Sequence, residues 1–247
     1  MPAPPGPSDL LCEACGYSLE GLPTSGACPE CGRAIALSLA ERRPGSAWQR
    51  RPSLASWVRT NLALVAAPRS AWDGVRIDLY AGPLLLANVG VGAVALAALP
   101  CVVCAPGTRT ADRAPLLAVF LVGVPLVSAA LVGLTAIESA GARFFARRRG
   151  WRVTPGIAGV IGAHASVGWL LAGLIGLALA LLAHPAAALA GWPGARASAL
   201  AACAGVLVGF LVFEFLVYFG VRRLRFANLP RPPSIDGPAR TEPVGPP

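Results

Sequence analysis

The chain has 247 residues; 55% are hydrophobic, only 13% are charged, and the net charge is +9. An average soluble domain carries about 25% charged residues, and disorder needs low hydrophobicity with high charge, so neither class describes the bulk of this chain. The composition that remains is that of a polytopic membrane protein with a small soluble part.

Residues 1–9 (MPAPPGPSD) read as a disordered Pro-rich leader. They lack the basic stretch and apolar run of a secretory signal. Residues 10–37 hold Cys12-x2-Cys15 and, twelve residues later, Cys28-x2-Cys31. Each pair is followed by glycine (Cys15-Gly16, Cys31-Gly32), which permits the backbone turn such a knuckle requires. C-x2-C spacing lets two sulfurs of one turn reach one ion, and tetrahedral zinc accepts four thiolates. A module this small needs metal to supply its folding energy. The expectation is therefore a zinc ribbon over 10–37 with Cys12, Cys15, Cys28 and Cys31 as ligands. Iron in a rubredoxin-like site is the less favoured alternative, and two disulfides would need an oxidising compartment. Four thiolates close the coordination shell, so the Zn2+ is structural rather than catalytic.

Residues 38–53 (SLAERRPGSAWQRRPS) read as a basic linker. Residues 54–78 mix apolar and charged positions with Trp57 and Trp72 and suit an interfacial amphipathic segment lying on the membrane. A transmembrane domain follows over 79–222. A helix that spans the bilayer takes about 20 apolar residues, and four stretches qualify, near 80–105, 114–138, 155–183 and 198–221. The third is read as one helix, followed by a loop that starts at His184 and contains Pro185 and Pro193. Small residues at Gly168, Ala172 and Gly176 recur every fourth position and would let helices approach closely. The remainder, 223–247, reads as a disordered Pro-rich tail. The fold class is thus an all-α polytopic membrane helical bundle of about four spans with a small N-terminal zinc ribbon.

All 21 basic residues are arginine. Eighteen precede the first span, join spans two and three, or follow span four, against three in the other two connections. By the positive-inside rule both termini face the cytoplasm. Nucleic-acid binding would need arginine clustered on one soluble face, and none is expected.

Four polar residues fall inside the spans: Asn88, Glu138, His164 and Glu214. At 1.5 Å per residue all four belong to the cytoplasmic half of the bilayer, on four different helices. An ionised carboxylate facing lipid is costly, so these residues should face protein or water. His164 is the natural partner for Glu214, either as a proton or cation site or as an interhelical hydrogen bond that fixes packing. Cys101, Cys104 and Cys203 read as small apolar fillers. The motifs of nucleotide binding, zinc proteolysis and nucleophilic-elbow hydrolysis are absent, so no catalytic residue is assigned and an enzyme is not expected.

The segment CEACGYSLEGLPTSGACPECG (12–32) resembles the zinc-ribbon head of bacterial multi-pass membrane proteins, notably those of planctomycetes. NLALVAAPRSAWDGVRI (61–77), the Gly/Ala-rich spans and the stretch from Glu138 through Trp169 resemble the Yip (Ypt-interacting) family, whose members usually have five spans rather than four. That resemblance implies a non-catalytic role in binding partners and shaping membranes, with only the four cysteines carried over as metal ligands. The expected function is a Yip-like integral membrane adaptor or scaffold in the bacterial cytoplasmic membrane. Its partners are the lipid bilayer and a cytoplasmic protein recruited by the ribbon, with a homo-oligomer compatible. The alternative is a small transporter or channel using the Glu/His cluster.

Overall fold

The computed structural model describes residues 6, 9–104 and 113–230. Helix dominates, and among the described residues the only strand-like pairing is two isolated bridges. Among the described residues, short 3-10 turns at Ile35–Ser38 and Ala40–Arg42 are followed by eight α-helices. These are α1 (Ala47–Arg50), α2 (Leu54–Ala66), α3 (Pro68–Gly74), α4 (Gly82–Cys104), α5 (Arg113–Arg148), α6 (Pro155–Ala165), α7 (Val167–Leu189) and α8 (Gly194–Leu224). Four stretches, Gly82–Cys104, Ala114–Arg148, Pro155–Leu189 and Gly194–Leu224, are long and apolar enough to cross a membrane. The chain is an all-α helical membrane bundle, as its composition implies.

The spans depart from expectation at their ends. Instead of stopping near Glu138, α5 runs on to Arg148 and closes with a left-handed Gly150 (φ 68°). There the Trp151 N–H bonds the Ala146 carbonyl (2.9 Å) and the Gly150 N–H bonds that of Arg147 (3.1 Å). The third span is not one helix over 155–183. It breaks at Ser166, whose hydroxyl donates back to the Ala163 carbonyl (2.7 Å), a bond that competes with the helix ladder. It then passes straight through Pro185 to Leu189, as an apolar membrane helix tolerates proline better than a soluble one. The stop comes instead at Gly191 (φ 70°), with the same pair of closing bonds. Residues 105–112, which hold the end expected for span one and the Arg109 connection, lie outside the described residues.

Packing between spans is set by small residues. A Cβ on Gly209 of α8 would stand 2.2 Å from the Ala172 nitrogen of α7, one on Gly205 2.6 Å from Gly176, and one on Gly168 2.5 Å from the Phe213 backbone. On the opposite face of α7, Gly173 meets the Gly92 carbonyl of α4 at 2.4 Å by the same measure. The i+4 row of small residues is therefore where α7 and α8 touch backbone to backbone. Trp169 locks the crossing: its ring stacks on Phe213 (4.4 Å) and its Nε1–H donates to Thr135 Oγ1 of α5 (2.9 Å).

Two regions expected to be irregular are folded. The basic linker, 38–53, forms the second 3-10 turn and α1, and α1 begins with a reciprocal Ser46–Gln49 cap. The Pro-rich tail, expected from 223, is ordered to Pro230, and 231–247 lie outside the described residues. Of the expected leader, only Gly6 and Asp9 are described.

The interfacial segment becomes α2 and α3. The buried positions of α2 are polar or small (Ser56, Thr60, Asn61) apart from Leu64, while Leu54, Val58, Leu62 and Val65 are exposed. That is the reverse of a soluble amphipathic helix and suits a helix with an apolar row turned to lipid.

Candidate metal centre and its mounting

Leu10, Cys12, Leu19, Cys28 and Ile35 form a small core of their own. Two knuckles repeat the same hydrogen bonds. In the first, the Cys12 N–H donates to the Tyr17 carbonyl (2.8 Å) and the Gly16 N–H to that of Cys12 (2.8 Å). In the second, the Cys28 N–H donates to Arg33 (2.8 Å) and the Gly32 N–H to Cys28 (2.9 Å). Gly16 and Gly32 have φ of 84° and 71°, the left-handed conformation expected after each second cysteine. Isolated bridges Leu11–Ser18 and Ala27–Ala34 close the two turns.

The four sulfurs lie within 4.8 Å of one another. Cys12 and Cys31 are 3.5 Å apart and Cys15 and Cys28 3.6 Å. Metal–sulfur bonds of about 2.3 Å place tetrahedral neighbours about 3.8 Å apart, so the four thiols fit one ion. Burial works to raise the Cys12 thiol, but the N–H groups of Cys15 and Ala14 outweigh it and bring it down to about 7. Burial, reinforced by the neighbouring sulfurs, pushes Cys15 up to about 12. The Cys12 thiol thus ionises readily, while the raised Cys15 and Cys31 thiols are helped to ionise by a cation, which a metal supplies.

The module is mounted on the arginine-rich end of the bundle, where the C-termini of α5 and α8 meet. Asn228, just past α8, is buried and donates through Nδ2 to the carbonyls of Leu11 (2.7 Å) and Ser38 (2.6 Å). Its Oδ1 accepts from the Leu11 N–H (3.0 Å) and from Arg152 (2.7 Å). Arg152, between α5 and α6, also donates to the carbonyls of Asp9 and Ala227. Burial lowers its pKa while the charges of Asp9 and Glu13 oppose the shift, and a guanidinium stays protonated throughout. Arg225 donates to the Ala14 carbonyl (2.8 Å).

From the other side, buried Arg43 forks onto Glu13, with Nη2 to Oε2 at 2.8 Å and Nε to Oε1 at 3.2 Å. Its Nη1 caps the end of α3 through the carbonyls of Trp72 (3.0 Å) and Val75 (3.3 Å). Sequence reading missed Arg43, Arg152 and Asn228. Charge counting treats the arginines as solvated, and no motif marks Asn228.

The four intramembrane residues do not form one cluster. Asn88 is buried and faces Asn61, amide to amide (2.9 and 3.1 Å), while accepting from Trp57 Nε1 (2.7 Å) and donating to Ser166 Oγ (3.0 Å). His164 is buried at the base of α1. Its Nδ1 contacts the Val160 carbonyl (2.9 Å), which can only accept, so Nδ1 carries the proton and Nε2 accepts from the Ser46 hydroxyl (3.1 Å). The expected His164–Glu214 pair is not made. Glu214 instead shares with Glu138 a cavity of about 290 Å3 between α5 and α8, with Arg149, Arg222 and Tyr218 in its wall. The reason is the long polar connection ahead of α4. It folds over the bundle and offers Ser46, Trp57 and Asn61 as partners, which counting depths along spans does not anticipate. Cys101, Cys104 and Cys203 are free thiols away from the module.

Fold and site together define a helical membrane protein that carries a four-cysteine metal module bonded to one end of its bundle. Comparison with family models, curated proteins and solved structures finds no match.

Proposed function

We propose that the protein is a non-catalytic membrane adaptor in a bacterial cytoplasmic membrane and that its metal is structural zinc. The observation that carries this reading is the mounting. One side of the module is bonded to the bundle through Glu13, Leu11 and Ala14, while Tyr17 and Leu37 stay about two-fifths exposed. A rigidly held module with exposed large apolar residues suits recruitment of a partner better than a free tether. The collection of arginines at the mounted end supports a cytoplasmic position for it. Four thiols close enough for one tetrahedral ion support zinc. Metal analysis checks it, since zinc leaves the protein colourless and a ferric tetrathiolate does not.

The recruitment reading is tested by crosslinking in native membranes with wild type beside Tyr17→Ala/Leu37→Ala. The variant keeps its four thiolates and is expected to lose the wild-type crosslinked species at normal expression. The same species at full yield in the variant would remove the adaptor reading.

A second reading, a small transporter, has one observation behind it: two carboxylates on different spans line one cavity. It keeps Glu138 and Glu214 and gives up His164, whose ring nitrogens are both engaged. If it holds, Glu214→Gln abolishes cation-driven flux in proteoliposomes; equal flux in wild type, Glu214→Gln and empty vesicles discards it.

A further inference from the structure

A second cavity, of about 340 Å3, lies where α1, α2 and α3 meet above His164. Arg50 and Arg59 line it, with hydroxyls from Ser46, Thr60 and Ser70. No carboxylate lines it among the described residues. Both arginines are exposed, and neither guanidinium has an ion pair or hydrogen bond among the described residues. Several other arginines at this end are engaged: Arg43 and Arg152 in the mounting, Arg76 with Asp78, Arg223 with Asp73.

The position of Arg59 on α2 matters. Leu54, Val58 and Leu62 form one i+4 row, which is exposed, and Ser56, Thr60 and Leu64 form another, which is buried. Arg59 and Ala63 stand between the two rows, and both line the cavity. The mouth therefore opens at the edge of the apolar row. A ligand seated there would have its anionic group between two guanidiniums and its apolar part along Leu62 and Val58.

We propose that this cavity binds the phosphate group of an anionic phospholipid, with Arg50 and Arg59 as its cationic contacts and the hydroxyls of Thr60 and Ser70 alongside. Guanidinium matches phosphate geometry and is weakly hydrated, and basic pockets at the cytoplasmic side of membrane bundles suit lipid headgroups. The apolar row of α2 selects a lipid over a soluble phosphate ester, because only a lipid gains from it.

The test uses the full-length, metal-loaded protein in neutral detergent, with bound lipid counted by native mass spectrometry. The probes are short-chain phosphatidylglycerol, phosphatidylcholine and inorganic phosphate. Wild type should take one phosphatidylglycerol in preference to phosphatidylcholine. Arg50→Gln/Arg59→Gln should weaken that binding by roughly tenfold or more. Arg147→Gln/Arg148→Gln removes the same charge elsewhere and should stay within about twofold of wild type. Ala63→Phe, which fills the cavity and leaves every charge, should also lose the lipid. Neither Arg50 nor Arg59 bonds the framework, so the pocket variants keep the fold, and the thiol count checks it. Equal loss in both arginine pairs would show attraction by net charge alone and overturn the site. So would full binding in Ala63→Phe. Inorganic phosphate that displaces the lipid and binds as tightly would assign the cavity to a soluble phosphate and overturn the lipid.

Discussion

Removing the metal, by chelation or by Cys28→Ser, unfolds residues 10–37 while leaving the spans helical. The module's own core is five residues, and two of them, Cys12 and Cys28, belong to the four cysteines whose sulfurs converge. Without an ion the four sulfurs sit at van der Waals distance, and once ionised they repel. Structural zinc contributes about 10 kcal/mol or more to folding in small peptides, far above the roughly 1 kcal/mol of any one hydrogen bond here. Hydrogen exchange read by mass spectrometry supplies the measurement. In metal-loaded protein the Cys12, Gly16, Cys28 and Gly32 amides are protected by the knuckle bonds; after chelation they exchange at the rate of unstructured chain. Asn228→Ala is the companion variant. It removes the bonds to Leu11 and Ser38 and leaves Arg152 without one acceptor. The knuckles should keep their metal, while exchange quickens at Leu11 and at the Arg152 turn. If chelation leaves residues 10–37 protected and Asn228→Ala exposes them, the bundle rather than the metal holds the module.

The direction of that coupling gives the mounting its physical meaning. The bonds that hold the module are made by Arg43, Arg152 and Asn228, which belong to three separate stretches of chain that meet only in the folded bundle. Two of them are arginines with buried side chains, each satisfied by several acceptors. A buried charge that loses partners is costly; if the module unfolds, Arg43 loses Glu13 and keeps the Trp72 and Val75 carbonyls, while Asn228 loses Leu11 and keeps Arg152. Unfolding of the module on metal loss is therefore expected to be felt at the end of α8 and the Arg152 turn through Asn228, which does not touch the metal site.

What was legible in the chain follows from which interactions are local. Each knuckle is set by spacing and a glycine within five residues, so Cys12, Cys15, Cys28 and Cys31 could be assigned as one site before any fold was known. Four apolar stretches of sufficient length are equally local, and so is the small-residue row at Gly168, Ala172 and Gly176. The helix ends were less legible. Pro185 suggested a stop because proline removes a ladder bond, but the stop lies at Gly191, where a left-handed residue allows the closing bonds. The polar residues were least legible. Asn88, His164 and Glu214 have similar depths along their spans, but similar depth does not make them neighbours. Asn88 pairs instead with Asn61 and Trp57 and His164 with Ser46, from the segments read as interfacial and as a linker, and Glu214 shares its cavity with Glu138. A pattern that buries polar residues and exposes leucines, as α2 does, has no soluble counterpart to be recognised by.

Gly209→Ala disrupts the bundle, and Gly209→Leu prevents it from assembling. Between membrane helices there is no hydrophobic gain from leaving lipid, so association depends on close packing and hydrogen bonds. At Gly209 the added Cβ would lie 2.2, 2.3 and 2.5 Å from the N, Cα and Cβ of Ala172. Backbone atoms cannot rotate away, so α7 and α8 must separate. That movement also pulls Phe213 from Trp169 and Gly205 from Gly176, which belong to the same contact. Overpacking by one methyl group costs up to about 3 kcal/mol in a core, and the leucine forces a far larger displacement. Gly141→Ala and Gly159→Ala are the controls, since an added Cβ at either position meets nothing within 4 Å. They should be neutral or stabilise by up to about 1 kcal/mol through helix propensity alone. The midpoint of thermal unfolding in one detergent, measured for the three alanine variants, decides the matter. A Gly209→Ala midpoint level with the two controls would mean that α7 and α8 do not meet at this crossing, and the packing described for the bundle would have to be redrawn.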